Sequence, residues 1–427
     1  MKVKIQQRTL SDCLVNIIDY RGKTPKKLGL EWSDVGYRAI SANNVKFDGL
    51  TKINSINYLD EAGYKKWMKE EVKRGDLLLT SEAPAGQVML WMSDEKIVLS
   101  QRLFALRTKT DVYNKYLKYY LQSNIGQFEI NKNTSGSTVF GISAKMFDFI
   151  KVNLPEYDLQ LLIGDLLYLI DSEIELNNRI NIELEAMAKT LYDYWFVQFD
   201  FPDKNGKPYK TNGGKMVWNK ELKRSVPEGW GVKLLGEEIE IQRGISYTSK
   251  EINGDGIPMI NLNSFNLDGT YKAEGIKKYS GKFAEKNIVK SGDLLIAATD
   301  VTRNADIIGR AILVPDYYKE DLVFSMDIAK IISNNIPSSF LMMLFNSNHY
   351  HNYIKWYASG TIVLHLNLDG VNRYVIEIPP TNLLKMFDEF YLPIANRVYM
   401  TAEENQKLTE LRDWLLPMLM NGQVKVK

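Results

Sequence analysis

The chain contains two similar halves about 220 residues apart, and this repeat constrains the fold more than any other feature. The segment Gly75–Leu79 returns as Gly292–Ile296, and the segment Ser135–Thr138 returns as Ser359–Ile362. Solenoid repeats have periods of about 20 to 50 residues, so the longer period indicates a tandem pair of whole modules. Two similar modules with diverged surfaces are typical of a protein that binds two different targets.

Length and composition are those of a soluble protein with more than one domain. A chain of 427 residues is long enough for two globular domains and connecting segments. The sequence has no run of 18 or more apolar residues, and its first residues lack the apolar core of a signal peptide. Cys13 is the single cysteine, which excludes an internal disulfide. We therefore expect a cytoplasmic protein.

The charges are segregated along the chain. Residues 1–153 carry 24 basic and 16 acidic side chains, whereas residues 154–200 carry 2 and 10. The first module is therefore basic enough to favour a polyanion. Residues 229–379 carry 15 basic and 17 acidic side chains, so a nucleic-acid face in the second module would have to be a local patch.

Two long helices are predicted, one after each module. Apolar residues of the first helix, between residues 163 and 194, are separated by alternating steps of three and four, which indicates a coiled-coil seam. Asn177 and Asn405 interrupt the two seams, and polar seam residues lower stability but define register. Pro393 is expected to kink the second helix or to start a new one. The predicted seam residues are Ile163, Leu166, Ile170, Asn177, Ile180, Leu184, Met187, Leu191, Ile394, Val398, Asn405 and Leu408.

The predicted fold class is mixed α/β. Short apolar runs between turn signals, beside amphipathic stretches, predict two β-rich α/β domains in tandem with pseudo-two-fold symmetry. We expect the two helices to form an antiparallel, coiled-coil-like spacer between the domains; the alternative is that each helix packs on its own module. The predicted divisions are residues 1–153 and 229–379 for the modules, 154–200 and 380–427 for the helices, and 201–228 for a linker.

The sequence offers no recognisable catalytic centre. It has no phosphate-binding Gly-x-x-x-x-Gly-Lys-Ser/Thr loop and no Asn-Pro-Pro-aromatic or Asp-Pro-Pro-aromatic tetrad of an amino-methyltransferase. His349 and His351 have a spacing that does not suggest a metal pair, and nothing resembles a nucleophile with its base. We therefore expect a non-catalytic chain that binds no metal.

Polar loop residues in both modules are candidates for DNA contacts. The segment Arg21–Lys27 has four cations in seven residues, which suits phosphate contacts, and Arg243–Lys250 is its expected counterpart. Asparagines can read adenine, and Asn43 and Asn44 are expected to correspond to Asn261 and Asn263. For each residue the alternative is an ordinary surface or turn position. The predicted DNA-binding residues are Arg21, Lys23, Thr24, Lys26, Lys27, Asn43, Asn44, Gln101, Arg102, Ser135, Ser137 and Thr138 in the first module, and Arg243, Ser246, Tyr247, Lys250, Asn261, Asn263, Arg303, Asn304, Arg310, Ser359 and Thr361 in the second.

A series of short motifs is more informative than any one of these residues. The segments Arg21–Pro25, Gly75–Leu78, Tyr194–Pro202, Pro227–Trp230 and Leu411–Pro417 occur in a specific order and spacing. Through them, and across nearly its whole length, the chain resembles the specificity subunit of Type I restriction–modification systems.

This resemblance implies two target-recognition domains that each read one half of a split DNA site, held apart by the two helical regions. It also implies partners: two methyltransferase subunits, which use S-adenosylmethionine to methylate adenine, and restriction subunits that translocate and cleave double-stranded DNA. ATP and Mg are then expected on the partner subunits, with no cofactor on this chain. Two other classes stay open: an enzyme such as a nuclease or a restriction–methylation fusion, and a non-catalytic coiled-coil adaptor that joins two proteins.

Overall fold

The computed structural model describes residues 5–136, 140–252, 254–267, 269–318 and 320–423. The chain forms two compact units. Unit 1 comprises Met1–Ile174 with Leu408–Lys427, and unit 2 comprises Glu175–Lys407. Each long helix therefore contributes residues to both units. The finer division into five segments stays a prediction.

Unit 1 contains the elements of the first module. Its strands are β1 (Gln6–Thr9), β2 (Leu14–Asp19), β3 (Tyr37–Ile40), β4 (Val45–Lys46), β5 (Gly49–Leu50), β6 (Asn57–Leu59), β7 (Leu77–Thr80), β8 (Val88–Leu90), β9 (Val98–Leu99), β10 (Leu103–Thr108) and β11 (Lys151–Leu154). Its shorter helices are α1 (Glu61–Trp67), α2 (Asn114–Gln122) and α3 (Asn124–Lys132).

The strands of unit 1 form a four-stranded sheet, β2-β10-β7-β8, and a three-stranded sheet, β6-β3-β9, besides the pairs β1-β11 and β4-β5. Strand β7 is buried along its whole length, because both of its faces are covered; such strands are continuously apolar rather than alternating. Leu77 and Leu79 belong to one hydrophobic cluster and Leu78 to another. The alternation of strand side chains therefore places β7 between two cores.

Unit 2 contains the elements of the second module. Its strands are β12 (Met216–Asn219), β13 (Arg224–Pro227), β14 (Gly231–Leu234), β15 (Ile239–Arg243), β16 (Ile257–Ile260), β17 (Lys277–Tyr279), β18 (Ile288–Val289), β19 (Leu294–Ala297), β20 (Thr299–Asp300), β21 (Ala311–Leu313), β22 (Leu322–Phe324), β23 (Ile328–Ser333), β24 (Ala358–Ser359), β25 (Leu364–Leu366) and β26 (Val375–Ile378). Its shorter helices are α5 (Ser338–Asn346), α6 (Asn348–Ile354) and α7 (Asp369–Asn372).

The sheets of unit 2 repeat those of unit 1. The order β15-β23-β19-β21 matches β2-β10-β7-β8, the order β17-β16-β22 matches β6-β3-β9, and β14-β26 matches β1-β11. Strands β20, β25 and β24 form a further sheet. The mixed α/β fold with two tandem, β-rich modules is therefore confirmed. Residues 201–228, expected to be a linker, contain the hairpin β12-β13.

The repeated Gly-Asp motif shapes the turn before the central strand of each module. Gly75 and Gly292 have φ angles of +93° and +80°, a backbone conformation that glycine adopts without steric cost. Asp76 and Asp293 close the turns, because their carboxylates accept hydrogen bonds from the backbone N–H of Lys73 (2.9 Å) and of Lys290 (2.8 Å). The motif is therefore a structural signature of strands β7 and β19.

The two long helices are α4 (Tyr157–Tyr192), which continues into a π-helical turn at Asp193–Val197, and α8 (Thr381–Met420). Within unit 2 the amide of Asn177 donates to Asn405 (2.9 Å), and the amide of Asn405 donates to Asn178 (2.9 Å). Further along α4, Asn181 lies against the carbonyl of Val398 (3.4 Å). The numbers of the contacting residues increase along α4 while they decrease along α8, which confirms an antiparallel, coiled-coil-like pair.

One residue of the predicted seam is wrong. Met187 is not in the seam: its side chain is 61% exposed, and Ala188 and Tyr192 are buried instead. The buried face of a straight helix rotates by about 20° per heptad relative to a 3.5-residue pattern, and the core of unit 2 covers the rotated face that carries Ala188 and Tyr192. Of the two outcomes expected at Pro393, a new helix is excluded, since α8 is continuous through this exposed residue; the kink stays a prediction.

None of the helices in the described ranges combines the length and apolarity that a membrane crossing requires.

Candidate nucleic-acid interface

Seven of the twelve predicted DNA-binding residues of the first module line one open cleft of about 470 Å³ in unit 1. Four segments that are distant in sequence meet there. Ser135, the serine of the repeated Ser-Gly motif, is held at the cleft by two backbone hydrogen bonds with Gly141. The N–H group of each residue donates to the carbonyl of the other (2.9 Å each). The predicted residues that line the cleft are Arg21, Lys23, Thr24, Lys27, Gln101, Arg102 and Ser135. Ser137 and Thr138 lie outside the described residues.

Arg21 is engaged within the protein. Its guanidinium makes a two-pronged ion pair with Asp19 (2.9 and 2.8 Å), donates to the carbonyl of Ile142 (3.0 Å) and lies over the ring of Phe104. Since these partners satisfy the guanidinium, we assign Arg21 to holding the loop in place rather than to a phosphate contact. This differs from the prediction, because Asp19 and Ile142 come together with Arg21 only in the fold.

The neighbouring lysines also hold the loop. Lys23 donates to the carbonyl of Trp67 (3.0 Å), and Lys27 donates to the carbonyl of Gly22 (2.8 Å). Burial, and then the neighbouring charge of Lys69, lower the pKa of Lys23. Lys26 is exposed beside the cleft without lining it, so its place suits a phosphate contact at the margin.

Arg102 occupies the most unusual position in the cleft. Its backbone has φ +61°, a left-handed conformation that is uncommon for residues with a side chain and is enriched at functional sites. Its guanidinium pairs with Glu82 (2.8 Å), while both its side chain and that of Gln101 stay exposed. Glu82 was not predicted; it lies two residues after β7, and only the tertiary structure places it beside Arg102.

The four predicted asparagines divide into two classes. Asn44 is buried, and its amide group accepts from the backbone N–H of Ser41 (3.1 Å) and donates to the carbonyl of Thr51 (3.2 Å). Asn261 is also buried and donates to the carbonyl of Gly275 (2.7 Å). These two predictions are wrong, because an amide enclosed in a turn cannot reach a base edge. Asn43 and Asn263 are exposed.

The fold also corrects the correspondence between these asparagines. In each unit a short 3₁₀ turn, Ala42–Asn44 or Leu262–Ser264, follows the matching strand β3 or β16. Asn43 is the middle residue of the first turn and Asn263 is the middle residue of the second. Asn261 therefore corresponds to Ser41 rather than to Asn43.

In unit 2 a buried carboxylate shapes the loop that carries Arg303 and Asn304. Asp300 is fully buried and accepts hydrogen bonds from the backbone N–H groups of Thr302 (2.6 Å), Ile307 (2.8 Å) and Ile308 (3.1 Å). Arg303 and Asn304 are exposed at the end of this loop. The β20-β25-β24 sheet joins the loop to Ser359, and Thr361 follows on the exposed hairpin.

Four further predicted residues of unit 2 lie at the end of strand β15 and in the segment that follows it. Arg243, Ser246 and Lys250 are exposed, and Tyr247 accepts a hydrogen bond from Lys277 (3.1 Å). Arg243 pairs with Ala329 in unit 2, and Asp19 pairs with Phe104 at the equivalent position of unit 1. Arg243 therefore corresponds to Asp19, two residues before Arg21, and not to Arg21 itself.

Arg310 differs from its prediction, because its guanidinium donates to the carbonyls of Asp306 (3.0 Å) and Asn346 (3.1 Å). These hydrogen bonds connect Arg310 to two backbone segments of unit 2, so we assign it a structural role. The sequence indicated only an arginine in a polar loop.

The fold aligns two residues of unit 2 that were not predicted. The backbone N–H of Ser100 donates to Ile40 (2.8 Å), as that of Ser325 donates to Ile260 (2.9 Å). Met326 and Asp327 therefore stand where unit 1 has Gln101 and Arg102. A comparison of the sequence Leu-Ser-Gln-Arg-Leu at residues 99–103 with Phe-Ser-Met-Asp-Ile at residues 324–328 could have found them.

A cavity of about 570 Å³ in unit 2 lies between the long helices and the loop around Tyr271, and none of the predicted DNA-binding residues lines it. Within the described ranges, no group of three or more His, Cys, Asp or Glu side chains is arranged to hold a metal ion.

Comparison with known proteins shows what this arrangement is similar to. Residues 3–186 match the model of the family described as Type I restriction modification DNA specificity domain. The predicted resemblance to the specificity subunits of Type I restriction–modification systems is therefore confirmed.

Individual relatives agree with this assignment. The chain is 27% identical to the Type I restriction enzyme MjaIX specificity subunit of Methanocaldococcus jannaschii, over 83% of this chain and 78% of the relative. It is 22% identical to the Type I restriction enzyme HindI specificity subunit of Haemophilus influenzae, over 83% of this chain and 88% of the relative. The crystal structure of the Type I restriction–modification S subunit from M. genitalium has the same fold, with a TM-score of 0.64 at 14% identity over 98% of this chain and 96% of that one.

Proposed function

We propose that this chain reads a bipartite DNA site, with the cleft of unit 1 contacting one half-site and the loops of unit 2 contacting the other. The chain itself carries out no chemistry. It directs adenine methylation and restriction, which its partner subunits perform. The predicted role of the helical pair as a spacer between half-sites is part of this proposal.

The observation that supports the proposal best is the repeated scaffold with different side chains at equivalent loop positions. Where unit 1 has Gln101 and Arg102, unit 2 has Met326 and Asp327. Arg102 pairs with Glu82, whereas Asp327 accepts a hydrogen bond from Thr299 (3.3 Å). Base edges are read by such donor, acceptor and apolar groups, so a shared scaffold with diverged loops suits two different half-sites.

The partners follow from the family. We propose that two methyltransferase subunits and the restriction subunits assemble with this chain on double-stranded DNA. S-adenosylmethionine, ATP and Mg then belong to those partners, and this chain binds no cofactor of its own.

Exchange of one module tests the two-site proposal. Residues 1–153 are replaced by the matching segment of a relative with a known site, and methylated sequences are mapped in cells that express the hybrid with its partners. We expect one half-site to change and the other to be retained. A hybrid that folds and changes both half-sites would contradict the assignment of one half-site to each module.

The alternative function, a coiled-coil adaptor between two proteins, makes a different prediction. A DNA reader loses affinity steeply as salt rises, because phosphate contacts release counterions. An adaptor binds DNA feebly at every salt concentration. Titration of the full chain with DNA between about 50 and 200 mM salt, where six to ten phosphate contacts cost about 10³- to 10⁵-fold in affinity, separates the two functions.

A further inference from the structure

Unit 2 exposes four apolar side chains beside the β20-β25-β24 sheet. Val301 directly follows β20, and Ile362 and Val363 directly precede β25; all three are exposed. Since Asp300 pairs with Leu364 in an antiparallel register, the next position along each strand brings Val301 opposite Val363. Met326 is exposed near the start of β20, because the carbonyl of the adjacent Asp327 accepts hydrogen bonds from the backbone N–H groups of Ala298 (2.8 Å) and Thr299 (3.1 Å). We call these four exposed residues the apolar tip: Val301, Met326, Ile362 and Val363.

The apolar tip lies where unit 1 presents polar groups. Met326 occupies the position of Gln101, an exposed amide in the cleft of unit 1. Its backbone is held in the same way as in unit 1, where the carbonyl of Arg102 accepts from the N–H of Ser81 (2.8 Å). The same backbone position therefore carries an amide, Gln101, in unit 1 and a thioether, Met326, in unit 2.

The surroundings of the tip favour DNA over a protein surface. Arg303 is exposed on the loop that begins with Val301, and Lys355 is partly exposed just before strand β24. Of the acidic residues in the same segments, Asp300 is fully buried, whereas Asp306 and Asp327 are partly exposed, as Lys355 is. Asp327 also accepts a hydrogen bond from Thr299. Among the charged side chains of residues 301–308, 325–328 and 355–366, Arg303 is the exposed one, and its charge complements phosphate.

We propose that the apolar tip reads thymine methyl groups in the half-site of unit 2, an inference that rests on the proposed function. The thymine C5-methyl is the apolar feature among the base edges of the major groove. Val301, Met326, Ile362 and Val363 carry no group that could read a hydrogen-bond pattern. The half-site of unit 2 therefore contains at least one A·T pair whose methyl group contacts the tip, whereas the half-site of unit 1 is read through amide and guanidinium groups.

Uracil substitution tests this inference at single-atom resolution. The module exchange described above identifies the half-site of unit 2, and each thymine in it is replaced by deoxyuridine in a synthetic duplex. The full chain, assembled with its partner subunits, is titrated against each duplex. We expect the affinity to fall about fourfold for each contacted methyl group, from the free energy of burying one such group.

Substitutions in the tip connect the effect to these residues. Met326→Gln installs the amide found at Gln101, and Val301→Ser removes an apolar contact. We expect both variants to bind thymine and uracil duplexes with nearly equal affinity. Leu234→Gln is the matched control, since Leu234 is 43% exposed and Met326 44%, but Leu234 lies in the separate β14-β26 sheet. It should retain the preference for thymine.

The outcomes separate the tip from the proposed function. Sequence-selective binding that is indifferent to uracil, or a half-site of unit 2 without A·T pairs, would overturn the thymine inference and leave DNA recognition intact. Absence of selective DNA binding would overturn both. If Met326→Gln kept the uracil discrimination and instead abolished self-association in light scattering, the tip would be a contact between copies of the chain, and the inference would be wrong.

Discussion

At the scale of single residues, charged side chains do two kinds of work in this molecule. Some stay exposed at the loops, such as Arg303, and are available to DNA. Others are enclosed and hold elements together, and the largest such group lies in unit 1. There Asp171 of α4 binds Lys118 (2.6 Å), the hydroxyl of Tyr119 (2.6 Å) and Arg412 of α8 (3.0 Å).

Asp171 provides a pH-dependent prediction. Burial by itself would raise the pKa of Asp171, but Lys118, Tyr119 and Arg412 outweigh it and hold the pKa below its usual value of 3.8. The carboxylate therefore contributes stability above that pH and loses it as the pH falls through its folded pKa. At neutral pH, Asp171→Asn should cost about 3–5 kcal/mol of unfolding free energy, since it removes the carboxylate that pairs with buried Lys118 and one of the three carboxylates that pair with Arg412.

Urea unfolding of the wild-type chain and of Asp171→Asn at pH 7 and at pH 3.5 measures this effect. The difference between the two should shrink at the lower pH, because the carboxyl of Asp171 in the unfolded wild-type chain, with its usual pKa of 3.8, becomes protonated there. Asp413→Asn is a suitable control, because Asp413 also contacts Arg412 but is largely exposed. A difference that is the same at both pH values would contradict the role assigned to Asp171.

At the scale of elements, the long helices belong to the folding cores as much as to their own seam. In unit 1 the end of α8 is packed into a hydrophobic cluster with Ile163 and Leu167 of α4, through Leu416, Leu419 and Met420. In unit 2 the later part of α4 contributes Ala188 and Tyr192 to the main core. The helices therefore stabilise the globular units directly.

Two leucines of α8 test this arrangement with the same substitution. Leu419→Ala removes a buried side chain and should lower the stability of unit 1 by about 2–5 kcal/mol. Leu411→Ala changes an exposed side chain of the same helix and should change stability by less than about 0.5 kcal/mol. Thermal unfolding, combined with limited proteolysis of unit 1, measures both. Equal effects of the two substitutions would show that α8 does not pack into unit 1 in this way.

At the scale of the whole molecule, we propose that the chain presents two sets of DNA-reading loops. The resemblance to specificity subunits and the repeated sheets support this proposal. Its activity in the cell would then depend on the enzymes that it directs to DNA.

The absence of activity in the isolated chain is therefore the prediction at this scale. We expect the purified chain, incubated with labelled S-adenosylmethionine and DNA, to transfer no methyl group, and with ATP and Mg to cleave no DNA, because its sequence lacks the tetrad and the nucleotide-binding loop of such enzymes. Addition of the partner subunits should restore both reactions. Methyl transfer by the rigorously purified chain would refute the proposed division of labour.

Local and periodic features of this protein could be predicted from its sequence. The Gly-Asp turns at Gly75 and Gly292 depend on residues that are neighbours in the chain, so the repeat revealed the tandem modules. The helix pair was predictable for a similar reason, because Asn177 and Asn405 interrupt regular apolar patterns and each needs a polar partner. Their hydrogen bond follows from that need.

The tertiary structure alone decided which polar residues are available to DNA. Arg21 and Asn44 resemble surface residues in the sequence, yet Ile142 and Thr51 satisfy their side chains. Met187 follows the heptad pattern, but the core of unit 2 covers a neighbouring face of the helix. Exposure and pairing depend on groups that are distant in sequence and close in space, and a local pattern carries no information about them. For this reason the modules were predictable, whereas the burial of Asn44 and the pairing of Arg21 emerged only from the fold.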